Sequence, residues 1–392
     1  MVLLLRYGEI HLKGLNRPHF EKLLRDAVRR ALTPYPQAKV SRGTGRFYVT
    51  GLEDSELPGA EAALRRVFGL HSFSEAVETE KTDDLLPLKE ALAEMAREWM
   101  RREGRETATF KVETKRADKR FPATSMQISA DIGGYVLEHV PGMTVDVHDP
   151  DLRLYAEVRE KCYGYTGIIP GAGGLPPRSS GRAMLLLSGG IDSPAAGYLI
   201  AKRGVELHAV HFHSFPFTSE QARQKVVDLA RILSSMTGPI TLNVVPFTEI
   251  QTKIHTDCPP EMMVLIMRRF MMRIAAALAG AQECAALVTG ESIGQVASQT
   301  LASLRVTDCV ADMPVFRPLI GFDKLDIIAL AESIGTYETS ILPYEDCCTV
   351  FVPKHPLTNP HEDRIAKAES VLPIDELVQK AVAGTETFRV TP

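Results

Sequence analysis

The chain of 392 residues lacks a long hydrophobic segment. No stretch reaches the roughly 18 consecutive apolar residues that a transmembrane helix requires, so we expect no membrane span and no membrane contact. The opening residues, MVLLLRYGEIHLKG, contain an apolar run too short for a secretion signal, and no basic segment precedes it. These absences predict a cytoplasmic protein.

Cysteine is scarce, with six in the whole chain, and no two of them form a C-x-x-C pair. So few cysteines in so long a chain exclude a disulfide framework, and the missing pairs argue against a zinc or redox site of that type. Because cytoplasmic thiols are kept reduced, we expect an individual cysteine to be chemically available.

Two common phosphate-binding motifs are also absent, G-x-x-x-x-G-K-[ST] and G-x-G-x-x-G. The chain has instead MLLLSGGIDSPAAGYLIAKRG, in which an apolar strand runs into two glycines and then a helical pattern. Gly189 and Gly190 let backbone N–H groups turn toward a ligand, and the helix N-terminus adds further donors and the positive end of its dipole. Together with the hydroxyls of Ser188 and Ser193, they predict an anion cradle, most often used for phosphate.

Asp192 lies at the start of the helix that follows these glycines. A bare carboxylate repels a pyrophosphate, but its position becomes favourable if Mg²⁺ bridges the two. The alternative is that Asp192 only caps the helix. The two preceding glycines and the neighbouring serines favour the interpretation with magnesium.

The organisation of the chain changes at residues 170–182, which contain the Gly-, Pro- and Ser-rich sequence PGAGGLPPRSSG and predict a linker. Before the linker, strand-like and helix-like segments alternate irregularly, as in α+β folds. After it, almost continuously apolar strands alternate with helices, which predicts an α/β doubly wound parallel sheet. The helices are predicted at residues 193–203, 219–235, 261–279, 295–304 and 323–334. Because ligands bind at the carboxyl ends of such strands, functional residues should follow the strands directly.

The net charge of −4 hides an uneven distribution. Residues 1–50 hold ten Lys and Arg against three Asp and Glu, and residues 101–120 hold eight against four. Basic segments on an acidic background favour local contact with a polyanion. The alternative is that these charges only form solvated helix faces.

The motif SGGIDSP resembles the PP-loop of the ATP pyrophosphatases, which split ATP between its α and β phosphates. The segments AVHFHSFPFTSE, MRRFMMRIA, VTGESIGQVASQTLASL, RPLIGFDKLDII and PYEDCC resemble the tRNA 4-thiouridine synthase (tRNA sulfurtransferase) family. RYGEIHLKGLNRPHFEKLL resembles the ferredoxin-like domain of that family, and the region from RVFGLHSFSEAVE to EKCYGYTGIIPG resembles its RNA-binding THUMP domain. The resemblance covers essentially the whole chain.

This resemblance implies a ferredoxin-like domain at residues 1–57, a THUMP domain at 58–169, a linker at 170–182 and a PP-loop domain at 183–392. It implies ATP-dependent transfer of sulfur to a uridine of tRNA, at position 8, through an adenylated O4 intermediate. ATP and Mg²⁺ are the expected cofactors. The expected partners are tRNA, a cysteine desulfurase that donates a persulfide, and a second copy in a homodimer. The family also implies a possible role in sulfur transfer for the thiazole of thiamine.

Site residues follow from the same resemblance, although each has a simpler alternative. His211 could be a packed or surface imidazole, Gln299 a surface amide and Lys324 a solvated first-turn lysine. Arg268, in an apolar helix, must find either a phosphate or a buried carboxylate. Gly290 at a second strand end allows close backbone approach. The predicted ATP-binding residues are Leu186, Leu187, Ser188, Gly189, Gly190, Asp192, Ser193, His211, Phe212, Arg268, Gly290 and Gln299.

The predicted catalytic residues are Asp192, Lys324, Cys347 and Cys348. Cys347 corresponds best to the sulfur-transfer cysteine of the family, and Cys348 stays open because the correspondence could slip by one position. The other four cysteines are expected to be structural. About 45 residues follow Cys347, too few for the rhodanese domain of some relatives, so we expect the persulfide to come from a separate donor.

The N-terminal half is expected to hold tRNA through its phosphates. The predicted contacts are Lys13, Arg17, Arg25, Arg29, Lys115, Arg116, Lys119 and Arg120, with Arg42 and Arg46 in the same group. Two alternatives to the thiolating enzyme stay open. One is an RNA-binding or sulfur-relay factor without turnover, and the other is a different PP-loop ligase.

Overall fold

Two units make up the chain in the computed structural model, Met1–Gly174 and Leu175–Pro392. The structure describes residues 1–344 and 357–392. Within these described residues, no helix is both long and apolar enough to cross a membrane.

The first unit is built on a single sheet of nine strands flanked by helices. The strands are β1 (Val2–Tyr7), β2 (Lys39–Gly43), β3 (Arg46–Thr50), β4 (Leu70–Thr79), β5 (Ala108–Arg116), β6 (Met143–Val145), β7 (Leu152–Val158), β8 (Cys162–Tyr165) and β9 (Ile169–Pro170). The helices are α1 (Arg17–Ala31), α2 (Leu57–Leu64), α3 (Leu86–Glu103) and α4 (Ser125–His139), with short 3₁₀ segments at Glu9–Asn16 and Asp54–Glu56. The strand order is β2-β3-β1-β4-β8-β7-β5-β6, and β9 pairs with β4.

Three apolar cores lie along this sheet. The first contains Leu3, Leu24 and Leu64, the second contains Phe110 and Ile132, and a smaller third contains Leu4 and Ala76. Helix α2 therefore packs in the first core, although the boundary predicted after residue 57 places it in the second domain. That boundary itself stays a prediction.

A buried ion pair joins the two halves of the nine-stranded sheet. Arg46 on β3 lies 2.8 Å from the carboxylate of Glu157 on β7, and both side chains are almost completely buried. Arg159 lies 3.0 Å from the same carboxylate, and the Tyr165 hydroxyl donates to it. Burial alone would raise the pKa of Glu157, but the cations of Arg46 and Arg159 outweigh burial and lower it. The prediction that Arg46 contacts RNA is therefore wrong, because its guanidinium is inside the protein.

Among its described residues, the second unit has a sheet of six strands with helices between them, and the predicted α/β class is confirmed. Its strands are β10 (Arg182–Leu186), β11 (Glu206–His213), β12 (Ile240–Pro246), β13 (Leu287–Val288), β14 (Val315–Phe316) and β15 (Glu386–Val390). Its helices are α5 (Asp192–Ala201), α6 (Glu220–Thr237), α7 (Thr248–Asp257), α8 (Met263–Ala281), α9 (Leu301–Asp308), α10 (Lys324–Ser333), α11 (Tyr337–Ser340), α12 (Glu362–Glu369) and α13 (Ile374–Ala383). The strand order is β14-β13-β10-β11-β12-β15. Strands β10 to β14 pair in parallel, and β15 adds an antiparallel edge that the sequence did not predict.

Helices cover both faces of this sheet. On one face, Gly197 of α5 packs so closely on Leu185 that an added Cβ would lie 2.6 Å from its Cδ2. On the other face, Met184 and Val210 belong to one core with Phe270 of α8. The predicted doubly wound arrangement is confirmed, since neighbouring residues of one strand face different helix layers.

The helix predicted at residues 295–304 is wrong in its position. The structure has a short 3₁₀ turn at Ala297–Gln299, and α9 begins only at Leu301. Thr300 is extended and its side chain accepts a hydrogen bond from the backbone N–H of Ser303, so it caps the helix. Gln299 consequently lies in the turn before the helix and not inside it.

Candidate active site

The glycine loop lies between the end of β10 and the start of α5, and its two serines stabilise it from within. The Ser193 hydroxyl accepts the backbone N–H of Ser188 at 2.9 Å. The Ser188 hydroxyl accepts the backbone N–H of Gly190 at 3.3 Å. The sequence predicts that these hydroxyls face a phosphate, whereas the structure shows that they stabilise the turn itself.

Gly290, which follows β13, packs directly on the first turn of α5. A Cβ added there would lie 2.7 Å from the Asp192 carbonyl carbon and 2.7 Å from the Ser193 nitrogen. The close approach predicted for this glycine is therefore made to the backbone of the helix that carries Asp192. Only glycine fits without moving that helix.

Asp192 is held by two side chains from elsewhere in the chain. Lys324 at the start of α10 lies 2.5 Å from one carboxylate oxygen. Gln295 donates from its amide to the other oxygen at 2.7 Å. These side-chain contacts differ from those of a helix cap, whose oxygen accepts a backbone N–H. The carboxylate is instead fixed in orientation at the helix N-terminus, with one face still open to solvent.

A cavity of about 490 Å³ opens at this edge of the sheet, within the size range of small-molecule sites. The predicted residues that line it are Leu186, Leu187, Ser188, Gly190, Asp192, Ser193, His211, Phe212, Arg268, Gly290 and Gln299. Gly189 belongs to the same loop without lining the cavity, and Lys324 joins the site through Asp192. The lining also includes apolar side chains, among them Phe212 and the α8 residues Met271 and Met272.

His211 is buried at the end of β11 and hydrogen-bonds from Nδ1 to the carbonyl oxygen of Leu187 at 3.1 Å. Burial lowers the pKa of His211 to about 4. The imidazole is therefore neutral at pH 7. Because a carbonyl oxygen can only accept, the proton sits on Nδ1 and Nε2 is left as an acceptor.

Arg268 lines the cavity and forms an ion pair with Glu291, so the carboxylate alternative is observed and the phosphate contact stays a prediction. Glu291 is buried and also accepts from Thr289 at 2.8 Å and from Arg317 at 2.7 Å. Glu291, Arg317 and Gln295 were not among the predicted site residues. The rule that functional residues follow strand ends could have found Glu291, which comes three residues after β13.

Gln299 also faces the cavity, and its side-chain oxygen is buried without a hydrogen-bond partner among the described residues. Such an oxygen is costly unless a ligand or water donates to it. This supports the predicted nucleotide contact for Gln299 over a plain surface amide.

Cys347 and Cys348 lie outside the described residues. Of the four described cysteines, Cys162, Cys258 and Cys284 are buried and Cys309 is exposed. Burial raises the pKa of each of the three buried thiols to about 11, which keeps them protonated and unreactive at pH 7.

Comparison with known proteins places this site in a family. Residues 178–374 match the family model described as thiamine biosynthesis protein (ThiI), residues 2–74 match the ThiI ferredoxin-like domain, and residues 84–165 match the THUMP domain. A probable tRNA sulfurtransferase of Acetivibrio thermocellus is 51% identical over 391 residues, covering 100% of this chain and 99% of the relative. The chain belongs to the tRNA sulfurtransferase family.

Solved structures agree with membership of the tRNA sulfurtransferase family. The crystal structure of a 4-thiouridine synthetase–RNA complex with bound ATP has a TM-score of 0.89 and 37% identity, and the match covers 99% of each chain. The structure of PH1313 from Pyrococcus horikoshii has a TM-score of 0.66 and 26% identity, covering 85% of this chain and 99% of that one.

The predicted tRNA contacts all lie in the first unit, but the exposure of their side chains differs. Arg29, Lys115 and Lys119 are exposed. Arg17 is held by Glu21, and Arg116 donates to the backbone carbonyls of residues 121 and 123.

The basic residues from the two halves of that unit share one surface cavity. Arg42 of β2 and Arg120 line a cavity of about 480 Å³ together with Arg159 and Lys161. Arg120 is also paired with Asp118 at 3.0 Å. The remaining predicted contacts, Lys13 and Arg25, are half-buried on the first half of the unit.

Proposed function

We propose that this chain transfers sulfur to a uridine of tRNA and uses ATP to activate the base. The observation that carries the proposal is Asp192, fixed between Lys324 and Gln295 where the glycine loop meets α5. The loop and helix N-terminus suit the phosphates of ATP, and the apolar side chains of the lining, Phe212 and Met272 among them, suit the adenine.

In the proposed reaction, O4 of the uracil attacks the α phosphorus of ATP and pyrophosphate leaves. A uracil oxygen is a poor leaving group, but as part of AMP it becomes a good one. Sulfur then bonds to C4 while the C4–O4 bond breaks, and AMP leaves with that oxygen. The product is 4-thiouridine, and position 8 is the expected target.

Asp192 is the proposed contact for the magnesium that accompanies ATP. Among the described residues, no group of three or more His, Cys, Asp or Glu side chains could hold a metal ion alone. A single carboxylate fits Mg²⁺ that arrives on the nucleotide, since this ion keeps waters and takes most other ligands from phosphates. Stabilisation of negative charge on the transferring phosphate is the role proposed for Lys324 and Arg268.

We further propose that ATP is held by the predicted residues of the cavity, each in a role that suits its chemistry. The loop residues 188–190 and Ser193 bind phosphate, and Gln299 supplies an unpaired acceptor for a donor of the nucleotide. The neutral imidazole of His211 supplies an Nε2 acceptor to the same cavity.

Sulfur delivery is assigned to Cys347 or Cys348, with a cysteine desulfurase as the persulfide donor. A persulfide donor also requires a thiol to break its sulfur–sulfur bond, whereas inorganic sulfide gives 4-thiouridine directly. A homodimer, a cytoplasmic location and a role in thiazole synthesis stay predictions.

The test is to incubate the purified chain with unmodified tRNA, Mg-ATP and sulfide, and to measure AMP release and 4-thiouridine absorbance. With sulfide, we expect Asp192→Ala to abolish both signals and Cys347→Ala to retain them. With a desulfurase and cysteine, Cys347→Ala or Cys348→Ala should lose thiolation. Cys309→Ala is the matched control, since it removes an exposed thiol elsewhere and should change neither assay.

The same experiment separates the competing functions. If neither AMP nor 4-thiouridine forms with either sulfur source while tRNA still binds, the chain is an RNA-binding or sulfur-relay factor. If AMP forms without tRNA thiolation, another PP-loop ligase reaction becomes the better explanation.

A further inference from the structure

We propose that Glu291 is a positioning residue that orients Arg268 for nucleotide binding. The inference rests on the proposed function, because it assumes that the cavity binds ATP. It concerns a carboxylate that lines the cavity and to which no catalytic step has been given.

Glu291 is held by three neighbouring side chains. It is 4% exposed, and Oε2 accepts from the Thr289 hydroxyl and from Nε of Arg317. Its other oxygen accepts no hydrogen bond among the described residues and forms the ion pair with Arg268. A buried carboxylate flanked by two guanidinium groups is poorly suited to take a cation. What it can do is fix the groups that surround it.

Arg268 is the neighbour that faces the cavity. Its side chain is about one-fifth exposed, and Nη1 also donates to Ser298 at 3.2 Å on the loop that lines the same cavity. A guanidinium presents donors in a rigid fork that matches phosphate geometry, but only if the long side chain is held in one conformation. Glu291 supplies that restraint.

The negative charge of Glu291 is compensated by its neighbours, which reduces its repulsion of an anionic ligand. Two guanidinium groups, Arg268 and Arg317, contact the single carboxylate. Arg317 in turn pairs with Asp308 at the end of α9, at 2.9 and 2.5 Å. Glu291 therefore orients the guanidinium of Arg268 at the cavity wall, and Asp308 balances the second positive charge, that of Arg317.

The chain contains a matched control, a second buried carboxylate that pairs with arginines of α8, the helix that carries Arg268. Glu369 is 2% exposed and binds Arg269 and Arg273 of α8, with the closest distances at 2.6 and 2.7 Å. Like Glu291, it is a buried carboxylate that joins two arginines, but it does not line the cavity. Glu369→Gln therefore reproduces the loss of a buried ion-pair network without touching the proposed nucleotide contact.

The test is a double-mutant cycle on the equilibrium binding of Mg-ATP by the full chain without tRNA, measured by calorimetry. Glu291→Gln keeps the shape of the side chain but turns an amide toward the guanidinium, so Arg268 loses its orientation. We expect the dissociation constant to rise about tenfold, as for loss of preorganisation in one long side chain. In the Arg268→Gln background, the same change should cost less than about twofold, because the residue on which Glu291 acts is gone. Glu369→Gln should lower the unfolding midpoint in urea and leave the dissociation constant within about twofold.

Two results would overturn the inference while leaving the proposed function intact. One is that the dissociation constant of the double variant rises by the product of the factors measured for Glu291→Gln and Arg268→Gln alone. The other is that Glu369→Gln weakens binding as much as Glu291→Gln. If Glu291→Gln does not fold, Glu291→Asp keeps the charge but shortens its reach, and unchanged affinity in that variant also contradicts the inference. A wild-type chain that fails to bind Mg-ATP would overturn the proposed function itself.

Discussion

Replacing Gly290 with alanine tests how tightly the site depends on backbone packing. The new Cβ would lie 2.7 Å from the Asp192 carbonyl carbon and 2.8 Å from the Ser193 Cα. Ordinary carbon contacts are about 3.5–4.0 Å, so the first turn of α5 must move by about 1 Å. Overpacking of this kind costs about 1–3 kcal/mol of unfolding free energy.

The larger effect of Gly290→Ala should be on catalysis. A shift of that size moves Asp192 relative to Lys324 and Gln295, which hold it at 2.5 and 2.7 Å. Misplacement by about 1 Å can lower a rate by about 100-fold. We therefore expect AMP release with tRNA, Mg-ATP and sulfide to fall by about that factor.

The control for this prediction is Gly280→Ala in α8. A Cβ added there meets no atom within 4 Å. The change should stabilise the helix by up to about 1 kcal/mol, because glycine is a poor helix former, and leave AMP release unchanged. If Gly290→Ala unfolds at the same urea concentration as wild type and releases AMP at the same rate, the reasoning from close backbone contact is wrong.

Three further predictions concern pH and salt. Burial lowers the pKa of His211 to about 4, so between pH 6.5 and 4 this imidazole binds a proton in the unfolded chain but not in the native chain. The free energy of unfolding, measured in urea, should therefore fall by up to about 3 kcal/mol as the pH is lowered from 6.5 to 4. This fall should be absent in His211→Gln. Burial, and then the neighbouring Glu75, raise the pKa of Glu61 to about 7. Between pH 4.5 and 7 the native chain therefore binds a proton that the unfolded chain has lost, and the free energy of unfolding falls as the pH rises through this range. Glu61→Gln should be more stable than wild type at pH 8 but not at pH 4.5, as thermal unfolding would reveal. Binding of tRNA should weaken steeply with salt, and Lys119→Ala should reduce the slope of log K against log salt by about one; an unchanged slope would exclude Lys119 as a phosphate contact.

Much of the site follows from one topological rule. Parallel strands end at the same edge of a sheet, so residues that follow different strands must meet there. The sequence therefore predicted that the loop at residues 188–190, His211 and Gly290 lie together, and the structure places them around one cavity. This prediction depends only on the order of strands and helices along the chain, and not on the exact residues at which they begin and end.

The partners of these residues could not be predicted in the same way. Whether Arg268 faces a phosphate or a carboxylate depends on which loop lies beside α8, and sequence spacing carries no such information. The start of α9 was missed because Thr300, the capping residue, lies inside an otherwise helical pattern. Arg46 was grouped with surface arginines because its partner Glu157 is far along the chain, where no local pattern connects the two.

The buried pair of Arg46 and Glu157 limits which segments of this protein can be exchanged for those of a relative. Sequence families divide the first unit into a ferredoxin-like part and a THUMP part, with one member of the pair in each. A chimera that exchanges only one part for that of a relative without the matching residue would bury an unpaired charge, at a cost of about 3–5 kcal/mol. For protein engineering, the two sequence domains are therefore one exchangeable module.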